Sequence, residues 1–221
     1  MGRKLYAATQ LAYDKVLTKV VAAQRADGSF DANGWAPVLS SSVAARSLYE
    51  ARARGKEQVS EDVLARNEQY TQGLVDTATG SFDSSAGAGV DLYAAASSLS
   101  GNREAAKAAK PGERAAARAA ADKTAEVVRQ QTARMIQGFG SVGGEEMLSY
   151  MMISDTLAEE GGDDWKHWRD EIGSHLSATQ NADGSWSGHH CITSTPFVTA
   201  AAVMTLGSNA SPPAAATLGR Q

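Results

Sequence analysis

Two of the four histidines and the only cysteine of the chain stand together as His189-His190-Cys191. Imidazole and thiolate are, with carboxylate, the ligand types zinc takes, so a metal centre using His189, His190 and Cys191 is the first chemistry these residues suggest. Three consecutive residues reach one ion only if the backbone contorts between them. The same triplet has a structural reading: one histidine hydrogen-bonds an interface, the other faces solvent, and the cysteine packs as a small hydrophobe. If the triplet stands at a helix N-terminus, the thiol pKa is expected to fall. Ser194-Thr195-Pro196 brings hydroxyls close by, but Ser or Thr before Pro at a helix start is commonly a cap. No glycine-rich phosphate loop follows a strand, so no nucleotide motif is found.

The chain that must position these residues has 221 of them, enough for a sizeable core in one domain or at most two. Hydrophobic residues make up 43% and charged residues 21%, ordinary values for a soluble globular protein, while aromatics are only 6%. Alanine-rich stretches such as 115–121 favour an all-α chain. A net charge of −4 provides no general basic footprint for nucleic acid. No apolar run is long enough for a membrane span. One cysteine excludes an intrachain disulfide framework and fits a reducing compartment, so a cytoplasmic location is the expectation. Residues 1–10 lack the apolar region of a signal peptide, and an exported protein would have had its signal removed.

Apolar residues recur at three- and four-residue spacings over 5–24, as Leu5, Leu11, Val16 and Val20, and predict a first helix. Further helices are expected over about 39–53, 60–75, 90–99, 115–136, 144–158, 164–179 and 193–206. Residues 102–122 are rich in Ala, Lys and Arg and broken by Pro111-Gly112. They read as an exposed insertion or a broken helix pair, with Arg103, Lys107, Lys110, Arg114, Arg118 and Lys123 either binding an anion or forming a solvated helix face. Met147, Met151 and Met152 follow helical spacing and read as core, and Trp165 and Trp168 as packing of an outer helix. Asp163-Asp164 stands at a helix start, where a capping role is expected. The domain is expected to span 1–207, with a loose Ser/Pro/Ala-rich tail over 208–221.

The helices are punctuated by a repeated signal. Gly-Ser recurs at 28–29, 80–81, 140–141 and 184–185, at spacings of 52, 60 and 44 residues. Each pair follows a helix and precedes a glycine-containing loop and another helix, which predicts four stacked helix–turn–helix units sharing one core. Residues 24–30 (QRADGSF) and 180–186 (QNADGSW) match at five of seven positions. Gln near a helix end can satisfy loose backbone groups. Asp-Gly makes the turn, with glycine free to take positive φ, and the aromatic ring packs on the neighbouring unit.

Gln180-Asn-Ala-Asp-Gly184-Ser-Trp186 resembles the QW motif (Gln-x3-Gly-x-Trp) of the squalene–hopene cyclase and prenyltransferase α/α-toroid superfamily. The close match covers 21–30 and 176–186. Residues 69–82 and 131–141 keep only the turn, and the repeat would extend the resemblance over about 5–207. Residues 176–206 also look like the C-terminal repeat of small bacterial toroid-like proteins. The resemblance implies an all-α fold of four helical hairpins forming a partial α/α toroid, since related rings use about six.

It also implies that the helix after each turn is the inner one, its N-terminal end facing a cavity. Those ends carry Asp91 and Tyr93, then Glu145 and Glu146, then His189, His190 and Cys191, which makes the six acidic, tyrosine and histidine residues candidate ligand contacts. Protein prenyltransferase β-subunits, which share this fold, hold a catalytic zinc with Asp, Cys and His, but their ligand spacing is not reproduced here. Nor does the chain carry the Asp-x-Asp-Asp acid of a class II cyclase or the many aromatics of a cyclase chamber. The expectation is therefore a non-catalytic binding or self-assembly module, self-associating through its open ends and taking a small hydrophobic or peptide ligand. The alternative is a small metal-dependent enzyme using His189, His190, Cys191 and Glu145 or Glu146.

Overall fold

The computed structural model describes residues 2–30, 36–138 and 140–210. Over these residues the chain is all-α: α1 (Gly2–Ala22), α2 (Pro37–Ala53), α3 (Glu61–Gly73), α4 (Asp91–Ala108), α5 (Arg114–Met135), α6 (Gly144–Glu160), α7 (Gly162–Thr179) and α8 (Thr195–Ala210). Its one extended pairing among the described residues is a ribbon of β1 (Val75–Asp76) and β2 (Ser81–Phe82), in which Val75 faces Phe82 and Asp76 faces Ser81. Helix α8 runs past the expected domain end at 207, and residues 211–221 of the expected tail lie outside the described residues.

The Gly-Ser pairs at 28–29, 80–81, 140–141 and 184–185 each connect an odd-numbered helix to the next even-numbered one. Their glycines take φ of +85°, +69°, +82° and +86° at positions 28, 80, 140 and 184, a region L-residues avoid. The first and last turns are near copies. Asp27 Oδ1 accepts from the Ser29 amide at 3.0 Å and hydroxyl at 2.7 Å. Asp183 Oδ1 does the same for Ser185 at 3.0 and 2.6 Å. These bonds stabilise the carboxylates and lower the pKa of both aspartates. Gln24 and Gln180 bridge their turns as expected, donating to the Gly28 and Gly184 carbonyls. The residue after each Gly-Ser pair, Phe30, Phe82, Val142 or Trp186, is buried. The Phe30 and Trp186 amides then dock on hydroxyls one turn into the following helix, Ser41 Oγ at 2.9 Å and Thr199 Oγ1 at 3.0 Å.

Even-numbered helices pack in succession, α2 on α4, α4 on α6 and α6 on α8. The odd-numbered helices cover them: α3 and α5 lie on α4, and α7 lies on α5 and α6. The main packing of α5 is thus on α4 and α7 rather than on α6, so a unit of the repeat is not a self-sufficient hairpin. Helix α4 is buried without interruption from Leu92 to Arg103. Its Ala94-Ala95-Ala96-Ser97-Ser98 run lets neighbours approach on every side, and Gly101 sits where a Cβ would meet Thr71 Cγ2 at 2.4 Å. Arg46 on α2 reaches past α4 to Asp155 on α6 at 3.4 Å, and Ser208 on α8 donates to the other Asp155 oxygen. This second-neighbour contact, with α4 enclosed, means that the even-numbered layer wraps round α4 rather than lying flat.

Of the two readings of 102–122, the broken helix pair is the one found, and it is part of this framework. Helix α4 continues to Ala108, and Pro111-Gly112 makes the turn into α5 because the residue before proline is disfavoured in helix. The solvated-face reading fails for Arg103, which is 5% exposed and paired with Asp122 at 2.6 Å. Lys107 joins Glu104 and Glu159, and Lys110 joins Glu61. Asp163 and Asp164 lie in the first turn of α7 rather than at its cap, which is Gly161, and pair with Lys166 and Arg129. Met147 and Met152 are core, as are Trp165 and Trp168, with Trp168 Nε1 donating to Ser154 Oγ at 2.8 Å.

The two matching turns should respond differently to the same substitution. A Cβ on Gly28 would stand 1.9 Å from the Arg66 carbonyl oxygen, whereas on Gly184 its nearest neighbour is Gln180 Nε2 at 4.0 Å. Gly184→Ala should cost only the left-handed backbone penalty, about 1–2 kcal/mol. Gly28→Ala should cost clearly more, because main chain of α3 must move. Urea unfolding of both variants checks this, and equal losses would refute the close approach of the first turn to α3.

Candidate functional site

The third and fourth turns meet at the N-terminus of α6. Gly143 is the N-cap of that helix, and Glu146 in its first turn accepts the Gly143 amide at 2.9 Å. This is half of a capping box, since glycine has no side chain to complete it. Segment 188–192 lies across the same end. His189 N donates to Val142 O at 2.8 Å and Gly144 N donates to Ile192 O at 3.0 Å. The approach is close because Gly143 and Gly144 have no Cβ: one on Gly143 would stand 2.8 Å from the His190 ring, and one on Gly144 would stand 2.5 Å from Ile192 Cβ.

This arrangement separates the expected residues into three groups. Glu145, His190 and Cys191 come together, each offering a ligand atom within 4.8 Å of the others. Tyr93 and Glu146 lie behind them, fully buried, with Tyr93 OH donating to Glu146 Oε1 at 2.6 Å. Burial and this carboxylate acceptor push the Tyr93 phenol pKa well up. Asp91 and His189 stand apart. Asp91 pairs with Arg134 of α5. His189 is exposed and faces a cleft of about 460 Å³, which Val142, Met147, His175 and Trp186 also line. Of the three residues the sequence suggested as metal ligands, His190 and Cys191 come together with Glu145, while His189 lines the cleft.

The histidines divide as the structural reading expects. His190 Nε2 lies 3.0 Å from the Ser141 carbonyl and bridges the third and fourth turns, while His189 faces solvent. Cys191 departs from both expectations. It is exposed rather than packed in the core. It precedes α8 by four residues rather than standing at its N-terminus. Desolvation, and then the carboxylates of Glu145 and Glu146, raise its thiol pKa instead of lowering it. Cys191 also has φ of +52°, rare for a residue with a Cβ.

Sequence reasoning missed three participants: the Ser141 carbonyl that holds His190, and the glycine pair under the loop. The readable signal is Gly143-Gly144 ahead of Glu145-Glu146, since a glycine doublet at a helix start marks a place where another backbone passes closely.

No protein family, curated protein or solved structure matches the chain.

Two outcomes test this geometry. Tyr93→Phe removes a donor from a buried carboxyl and should destabilise the protein by about 1–3 kcal/mol in urea unfolding. A loss near zero would mean that Glu146 does not depend on that bond. His175 stacks edge-on against Tyr150, 5.7 Å between ring centroids, and burial lowers its pKa from the ordinary 6.5. Folding therefore holds this ring neutral. Its contribution is complete above the ordinary titration range and is lost as pH falls through that range toward the lowered value. Thermal stability of His175→Gln should accordingly fall less steeply than that of the natural chain between about pH 7 and 5.

Proposed function

We propose that the chain is a non-catalytic binding and self-assembly module, a partial α/α toroid whose terminal units associate head to tail with a second copy. The observation that carries this reading is the exposure of large apolar side chains at both ends of the repeat. Phe197, Val203 and Met204 are exposed on α8, and Tyr6, Leu11 and Val16 on α1. Each even-numbered helix but the last has a successor on its far side. Helix α8 presents the face a fifth would cover, and α2 of another copy, with Val43 exposed at 49%, is a helix of the same layer. Such a contact is heterologous and either closes a ring or extends a filament.

The toroid reading is supported by the alternation of layers, the four positive-φ turns and the bending of the even-numbered layer. The non-catalytic reading is supported by the same bend: α4 is covered on every face, leaving it no wall of a cyclase-like chamber. A small hydrophobic or peptide ligand would find its place in the cleft beside Trp186 and His189.

Sedimentation velocity over a concentration series tests the assembly. The natural chain should sediment increasingly fast with concentration, and a Phe197→Asp, Met204→Asp double variant should remain monomeric with unchanged helicity. A monomer at all concentrations for the natural chain, or assembly unaltered in the variant, would overturn the reading.

A further inference from the structure

We propose that Glu145, His190 and Cys191 form a binding site for one thiophilic divalent cation, with zinc the best chemical fit. The site is independent of the assembly reading, since none of its three ligands lies on the apolar faces invoked there. One carboxylate, one imidazole and one thiol make a mixed oxygen, nitrogen and sulfur set. Calcium and magnesium prefer oxygen ligands alone, whereas zinc accepts all three types.

The obstacle posed by consecutive ligands is removed by the backbone. Cys191 in the left-handed region turns the chain sharply after His190, so that two adjacent side chains converge with Glu145 from another unit. Their ligand atoms lie within 4.8 Å of one another. Tetrahedral zinc with bonds of about 2.0–2.3 Å holds its ligands about 3.5 Å apart. The ligand atoms therefore draw together by about 1 Å on binding.

The surroundings set each ligand up. The Ser141 carbonyl can only accept, so His190 donates to it from Nε2 at 3.0 Å, which fixes the orientation of the ring. Glu145 is 8% exposed and is fixed in the first turn of α6, which Gly143 and Gly144 allow the loop to reach. On binding, the sulfur–metal bond forms as the thiol proton passes to bulk water. Three protein ligands beside an exposed thiol leave a fourth position to water or a small ligand.

The full chain, freed of metal by chelation, is titrated with Co2+ and then with Zn2+ in competition. The expected result is one equivalent of cobalt with thiolate-to-metal charge-transfer absorption, displaced by zinc. Cys191→Ala is the decisive variant, because this side chain is exposed and its removal leaves the core intact. It should lose the charge-transfer band and bind zinc at least ~100-fold more weakly. His190→Gln and Glu145→Gln should each lose roughly tenfold or more. His189→Ala, which touches the cleft but not the ligand set, should bind within about twofold of the natural chain. Absence of stoichiometric binding, zinc affinity unchanged by Cys191→Ala, or a loss in His189→Ala equal to that in His190→Gln would overturn the assignment.

Discussion

The positive-φ glycine in each of the four turns is the constraint on which the rest of the structure depends. A residue with a Cβ there would swing the chain away by taking negative φ, and the next residues would miss their places. With glycine, the apolar residue two positions on enters the core, and in the first and last turns its amide docks on a hydroxyl of the following helix. A local backbone preference thereby becomes a tertiary contact. Repeated four times, it stations the even-numbered helices side by side in chain order. Packing between units is then extensive, and α5 leans on α4 and α7 while its own turn leads to α6.

Side-chain size converts that row into a bent layer. Helix α4 has the composition of a helix with no solvent face: alanines, serines and a glycine among a few large apolar residues. Small residues let α2, α3, α5 and α6 come near enough to bury it, and Arg46 of α2 pairs with Asp155 of α6. The cost is burial of polar groups. Arg103 is matched by Asp122, and Asn102 Nδ2 by Thr124 Oγ1 at 3.0 Å. The pairing is incomplete, since Arg103 Nε and Asn102 Oδ1 are buried without a hydrogen-bond partner.

Features encoded by local preference were legible in the sequence. The turns, the approximate helices and the burial of Trp168, Met147 and Met152 follow from periodicity and from glycine chemistry. What depends on through-space encounters was not. Arg103 has the sequence context of a solvated lysine- and arginine-rich face, and only the meeting of α4 with α5 buries it. The ligand cluster failed for the same reason at one position. Spacing groups His189 with His190 and Cys191, yet His189 lines the cleft while His190 reaches the Ser141 carbonyl. The partner that completes the group is Glu145, 45 residues earlier in the chain, as the residue numbers show. The thiol pKa misled likewise: a helix-terminus argument looks to α8, whereas desolvation, and then the carboxylates of α6, raise the thiol.

Segment 188–192 joins the two proposals physically. It carries two of the three suggested ligands, and it leads within a few residues to Phe197, at the start of the proposed assembly face. Ile192 and Phe197 would both be struck by a Cβ on Gly144, so the loop and the first turn of α8 rest on the same point of α6. A cation bound by Glu145 and Cys191 would tie that point to the loop from the other side. By linkage, any difference in cation affinity between single and associated chains must appear as an equal difference in association with and without cation. The coupling would be carried by how firmly α8 begins, because Phe197 is 40% exposed and its ring lies against the glycine-floored end of α6.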